Sequence, residues 1–189
     1  MKFKRIGKMQ DTIIIGMLGG FIGTVCMEIS NTLIYKAKKT EVVYPQITGQ
    51  FFFSPKRVNR KENFILGEIL HLGVGTFFGL PLILILKLTG KDHHLSKGLL
   101  TGMTTWGTLY VGGQKLGLFK QPVKSKTHYS SILNNALYGL TSAQAMVTLA
   151  DPRIFASKHE FDEQPQAQLR TNYYGTNEIH QDDEQSVYQ

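Results

Sequence analysis

The sequence predicts an all-α fold: an integral membrane bundle of four transmembrane helices followed by a disordered C-terminal tail. Three observations lead there. Residues 13–35 and 64–86 are long and apolar enough to cross a bilayer, since a span needs roughly 20 mostly apolar residues at about 1.5 Å rise each. Glycines recur at four-residue spacing inside the apolar stretches, at Gly16/Gly20, Gly19/Gly23, Gly75/Gly79 and Gly98/Gly102. Charge is segregated. Up to residue 150 there are eighteen basic and six acidic side chains, and from Asp151 onward eight acidic and three basic.

Residues 1–12 form a basic N-terminal tail, and residues 13–150 form the predicted transmembrane domain. The first span, 13–35, carries Glu28 as its only acidic or basic side chain. No small-residue cleavage pattern follows its apolar stretch, which runs longer than a signal-peptide core, so a retained anchor is expected. Cys26 is the one cysteine and reads as a small apolar residue. With one cysteine, neither an internal disulfide nor a cysteine-based zinc site is available.

Loop one, 36–63, places Phe51, Phe52 and Phe53 beside Lys56, Arg57, Arg60 and Lys61. That composition suits either a headgroup surface or aromatic packing on the bundle end. The second span, 64–86, contains Glu68 and His71 one helical turn apart. The third span, 95–113, is threonine-rich, and the fourth, 129–150, holds Asn134, Asn135, Ser142 and Gln144. Spans this polar are expected to turn their polar faces toward neighbouring helices. An all-helical soluble globule with long core helices is the alternative, and the concentration of charge in the connectors speaks against it. The glycines let helix backbones approach closely, and contacts within one chain are expected.

The tail, 151–189, lacks hydrophobic periodicity and is expected to be disordered. Loops one and three hold eleven Lys and Arg residues against nine on the opposite side, too even to orient the chain by charge. Cytoplasmic termini avoid moving either tail across the membrane.

Alternating spans bring Glu28, Asn31, Glu68, His71 and Asn134 to one membrane face, with Tyr138, Trp106 and Tyr110 at a similar depth. Charge in hydrocarbon is costly and marks function or architecture. Three roles fit this layer. It can lock helix register, with a carboxylate and the imidazole satisfying each other and Asn31 and Asn134 completing the network. It can bind a proton or cation in a small transporter or channel subunit. It can hold a metal, because Glu68-x-x-His71 is the unit that di-iron bundles use twice. With one copy present, a dinuclear site is not expected, and the remaining metal option is a single ion on Glu28, Glu68 and His71. The expectation is no metal and no cofactor. His93 and His94 lie at the opposite face and read as solvated loop residues.

No phosphate-binding loop, dinucleotide fingerprint or Ser-His-Asp order occurs, so a non-enzymatic role is expected. Despite the net charge of +7, nucleic acid is not an expected partner, because the basic residues flank apolar segments. The expected partners are the lipid bilayer and a membrane protein or a second copy.

GMLGGFIGT, the loop TEVVYP, KGLLTGMTTWGTLY, QPV and NNALYGL together resemble small four-span membrane proteins of spore-forming Gram-positive bacteria, the YqhR-like family. The resemblance covers about residues 12–150. It implies a four-span topology in a bacterial cell membrane and assigns no catalytic residue.

Overall fold

The computed structural model describes residues 8–120 and 122–155. Helix α1 spans Thr12–Lys36. The Asp11 carboxylate starts it, accepting from the Ile13 and Ile14 amides at 2.9 and 3.0 Å, as an N-cap does. A short helix, α2 (Tyr44–Gly49), sits inside loop one. Pro45 in its first turn suits a helix start, and Gln46 Oε1 accepts from the Val43 amide.

Helix α3 runs Lys61–Thr89 with Pro81 inside it, and ends at Gly90, whose φ of 80° leaves the helical region. Lys97 Nζ donates to the Thr89 and Gly90 carbonyls at 3.0 and 2.8 Å, so the ammonium caps α3 rather than sitting unpaired. Helix α4 covers His94–Thr105. It widens into a π-helical turn, Trp106–Val111, and re-tightens as α5, Gly112–Lys115. Helix α6 spans Ser125–Leu149, and a 3₁₀ turn follows at Pro152–Ile154.

All four predicted segments are helical. The third differs from a plain helix through its π-helical turn. Among the described residues only α1 and α3 are long and apolar enough to cross a membrane. Among the described residues the sole strand-like pairing is the isolated bridge Met9–Ala150.

The long helices pack in the order α3–α1–α6–α4, and α2 lies on α3. Glycines set these approaches. A Cβ added at Gly20 would meet the Thr76 carbonyl oxygen at 2.7 Å and Gly79 Cα at 2.9 Å. One at Gly23 would meet the Tyr138 carbonyl oxygen at 2.8 Å, and one at Gly98 would reach the Gly139 carbonyl group. Thus Gly16, Gly20, Gly75 and Gly79 line the α1–α3 seam. Gly19 and Gly23 face α6, and Gly98 and Gly102 meet α6 at Gly139 and Asn135.

Two apolar clusters divide the bundle lengthwise. At one end Ile15, Leu82, Ile83, Leu86, Met146 and Phe155 form an aliphatic core. At the other, Met27, Tyr44, Ile47, Tyr110, Phe119 and Tyr138 form an aromatic one. Residues just outside the predicted 13–150 domain pack against it. The Met9 amide donates to the Leu149 carbonyl, and the Asp151 amide donates to Met9. Phe155 is buried against the aliphatic cluster. The tail expected beyond that point lies outside the described residues.

Of the threonines in the third segment, Thr101 and Thr105 turn inward as expected, while Thr104 and Thr108 are exposed. Thr101, Thr104 and Thr105 donate to the carbonyls of Lys97, Leu100 and Thr101, four residues back on their own helix. Their hydroxyls are satisfied locally and need no neighbouring helix.

Candidate functional site

The α1–α3 seam advances in steps of four on both helices. Gly16 meets Ile83, Gly20 meets Gly79, and Thr24 meets Gly75. The next step brings Glu28 Oε2 to His71 Nδ1 at 3.1 Å. The side chains are 15% and 12% exposed, respectively. Neither atom has a well-directed hydrogen bond, so their contact is electrostatic more than directional. The His71 ring stacks on Tyr44 with centroids 4.7 Å apart and planes 3° from parallel. Helix α2 brings Tyr44 there, and Gly67 admits α2, because a Cβ at that position would strike the Pro45 carbonyl.

Of the two carboxylates expected in the layer, the imidazole meets the one on the other helix. His71 pairs with Glu28 across helices, not with Glu68 on its own helix. Glu68 is half-buried and makes no hydrogen bond or ion pair with the described residues. The physical reason is register: Glu68 lies beyond the step at which α1 presents Glu28. No group of three His, Cys, Asp or Glu side chains among the described residues is arranged to hold a metal.

Asn134 is fully buried on α6, and its Oδ1 accepts from Ser30 Oγ at 2.7 Å. Its Nδ2 and the Tyr44 hydroxyl are neighbours but have no well-formed hydrogen bond among the described residues. Burial pushes the Tyr44 hydroxyl pKa upward. Asn31 is 3% exposed with its Oδ1 unpartnered. Tyr138 donates to the Gly75 carbonyl at 2.8 Å, tying α6 to α3. Trp106 Nε1 donates to Ser131 Oγ at 2.9 Å, tying the π-helical turn to α6. The opposite end holds His94, whose Nε2 lies 3.1 Å from Gln144 Oε1.

The site therefore has parts that sequence reasoning missed: Tyr44, Ser30, Thr24 and Glu41. Glu41 in loop one accepts from the Val123 and Lys124 amides at 2.9 and 2.8 Å. It covers the α6 N-terminus, where a negative charge is favourable. The Lys124 amide, foremost, holds the Glu41 carboxyl below its ordinary pKa. Gln50 Oε1 similarly accepts from the Lys120 amide at 2.8 Å. Loop one is thus fastened to loop three.

Because α3 and α4 touch at few points, space remains between them at the aromatic end. A cavity of about 290 Å³ lies there, bounded by Met27, Tyr44, His71, Val74, Tyr110 and Tyr138 among others. Its wall is overwhelmingly apolar, and the π-helical turn supplies Leu109 and Tyr110 to it. Such turns frequently mark functional sites. A second cleft, between Gln50–Pro55 and Gly117–Lys120, shares Phe51, Phe52 and Phe119 with the cavity. No family model, curated protein or solved structure matches this chain, so a functional reading rests on the geometry.

Proposed function

We propose that this chain is a multi-pass membrane protein of the bacterial cell membrane. In this reading α1, α3, α4–α5 and α6 all span, and both termini are cytoplasmic. The protein is a structural or partner-binding component, recruiting a membrane protein or a second copy, and has no catalytic role. The resemblance to YqhR-like proteins is consistent with this topology.

The observation that carries the reading is inverted polarity. Large apolar side chains project outward along every long helix: Leu33 is 62% exposed, Phe77 64%, Leu100 69% and Leu133 59%. Polar side chains share the interior with the two apolar clusters, and Thr24, Asn134 and Ser142 are fully buried. Water would drive the reverse arrangement, whereas hydrocarbon favours this one. The apolar windows of α1 and α3 are only 39% and 28% buried, unlike a core helix of a soluble globule.

In this role the Glu28–His71 layer holds helices in register. A second reading is a proton- or cation-coupled transporter or channel subunit using Glu28, Glu68 and His71. It is favoured by the unpartnered buried atoms of Asn31, Tyr44 and Asn134 around the pair, since buried polar atoms ordinarily find partners. Purified protein in liposomes separates the two. The structural role predicts no ion flux and a loss of stability in Glu28→Gln and His71→Asn. A pH-dependent flux that disappears in folded variants contradicts it.

A further inference from the structure

We propose that the cavity and its adjoining cleft together bind one anionic membrane phospholipid, with part of an acyl chain in the cavity and the phosphate in the cleft. The proposal rests on the membrane reading above. The cavity suits hydrocarbon because its wall is nearly all apolar. It is about 290 Å³ in volume, roughly twice the engineered apolar cavity of about 150 Å³ that stays dry and takes up benzene. That size admits a segment of one flexible chain.

The mouth faces the surroundings of the helices. Val74, Phe51 and Phe52 line the cavity and are also 38%, 43% and 67% exposed. A chain can therefore enter sideways between α3 and the π-helical turn. Phe51, Phe52 and Phe119 form a wall common to cavity and cleft, so an amphiphile crossing that wall has its two chemical halves in two unlike environments.

The cleft beyond the wall is polar and includes Gln50, Ser54 and Lys120. Lys56 and Arg57 directly follow its Pro55 edge and are exposed. Neither they nor Lys120 forms an ion pair among the described residues. Loops one and three together carry eleven basic side chains and only Glu41 and Glu62 as acids. Glu41 is already engaged by the Val123 and Lys124 amides. Basic segments at a membrane surface attract anionic headgroups, which selects an anionic over a zwitterionic phospholipid.

The test uses full-length protein in detergent, exposed to phosphatidylglycerol or phosphatidylcholine and examined by native mass spectrometry. One phosphatidylglycerol per chain should be retained in preference to phosphatidylcholine. Val74→Phe, which fills the cavity, should weaken retention of both by about tenfold. Lys120→Gln should reduce the preference for phosphatidylglycerol by about fivefold. Retention unaffected by Val74→Phe, or no headgroup preference in the wild type, overturns the proposal. Should Val74→Phe fail to fold, Trp106 fluorescence in the wild type replaces it. Vesicles brominated in mid-chain on phosphatidylglycerol should quench more strongly than vesicles brominated on phosphatidylcholine, and equal quenching overturns the proposal. A chain that alkaline washing releases from membranes instead defeats the membrane reading on which the proposal rests.

Discussion

Glu28 on α1 and His71 on α3 meet at 3.1 Å, one step beyond the contact between Thr24 and Gly75. The Glu28–His71 contact continues a line of close approaches that begins with Gly16 against Ile83. The same register that permits backbone contact also determines which carboxylate the imidazole meets. Tyr44 then covers the ring by stacking. Packing, pairing and the docking of loop one are thus parts of one geometry.

Glu28→Gln and His71→Asn should each destabilise the folded chain by about 1–2 kcal/mol. That lies between the value of about 0.6 typical of polar contacts in membrane bundles and the larger loss from orphaning a buried charge. The double variant should lose less than the two single losses added together, since both remove one interaction. Glu68→Gln should change stability by under about 0.5 kcal/mol. Denaturant titration in mixed micelles measures all four, and additivity of Glu28 and His71 would refute their pairing.

The glycines of α3 should separate sharply. Gly79→Ala forces a Cβ against the Gly20 backbone, 2.8 Å from its Cα, and should destabilise by about 1–3 kcal/mol. Gly73→Ala has nothing within 4 Å of the added atom and should be neutral or stabilise by up to about 1 kcal/mol. Thermal unfolding followed by circular dichroism distinguishes them, and equal effects would contradict the proposed seam.

Glu41 predicts a pH dependence. Its carboxyl titrates below its ordinary value of 4.5, chiefly because the Lys124 amide donates to it. The folded pKa is depressed, so the stabilisation is fully present above the unfolded value. It is lost as pH falls through the folded one. Melting temperature should therefore decline in that acid range, and Glu41→Gln should flatten the decline. A wild-type and a variant curve that run parallel would remove Glu41 from this role.

The long helices were legible because apolar length and four-residue glycine spacing are local signals. The glycine pattern also contained the start of the α1–α3 line, since Gly16, Gly20, Thr24 and Glu28 follow one another at equal spacing. Which residue of α3 faces Glu28 depends on helix register, and the depth of the residues in their spans placed both Glu68 and His71 near it without choosing between them. Helix α2 is too short to show periodicity, and Pro45 was its one local sign. The Glu41 cap joins residues more than 80 positions apart, which no spacing rule reaches. The π-helical turn leaves no clear pattern beyond the surrounding Gly107, Gly112 and Gly113.

The number of membrane crossings is most directly measured by cysteine accessibility in a Cys26→Ala background. Single cysteines replace Ser54, Asp92 and Leu116, at the loop-one, loop-two and loop-three ends of the helices. A membrane-impermeant thiol reagent should label Ser54→Cys and Leu116→Cys from one side of the membrane, and Asp92→Cys from the other. Labelling of Leu116→Cys from the same side as Asp92→Cys would show that the segment from α4 to α5 does not cross and contradict the four-span bundle.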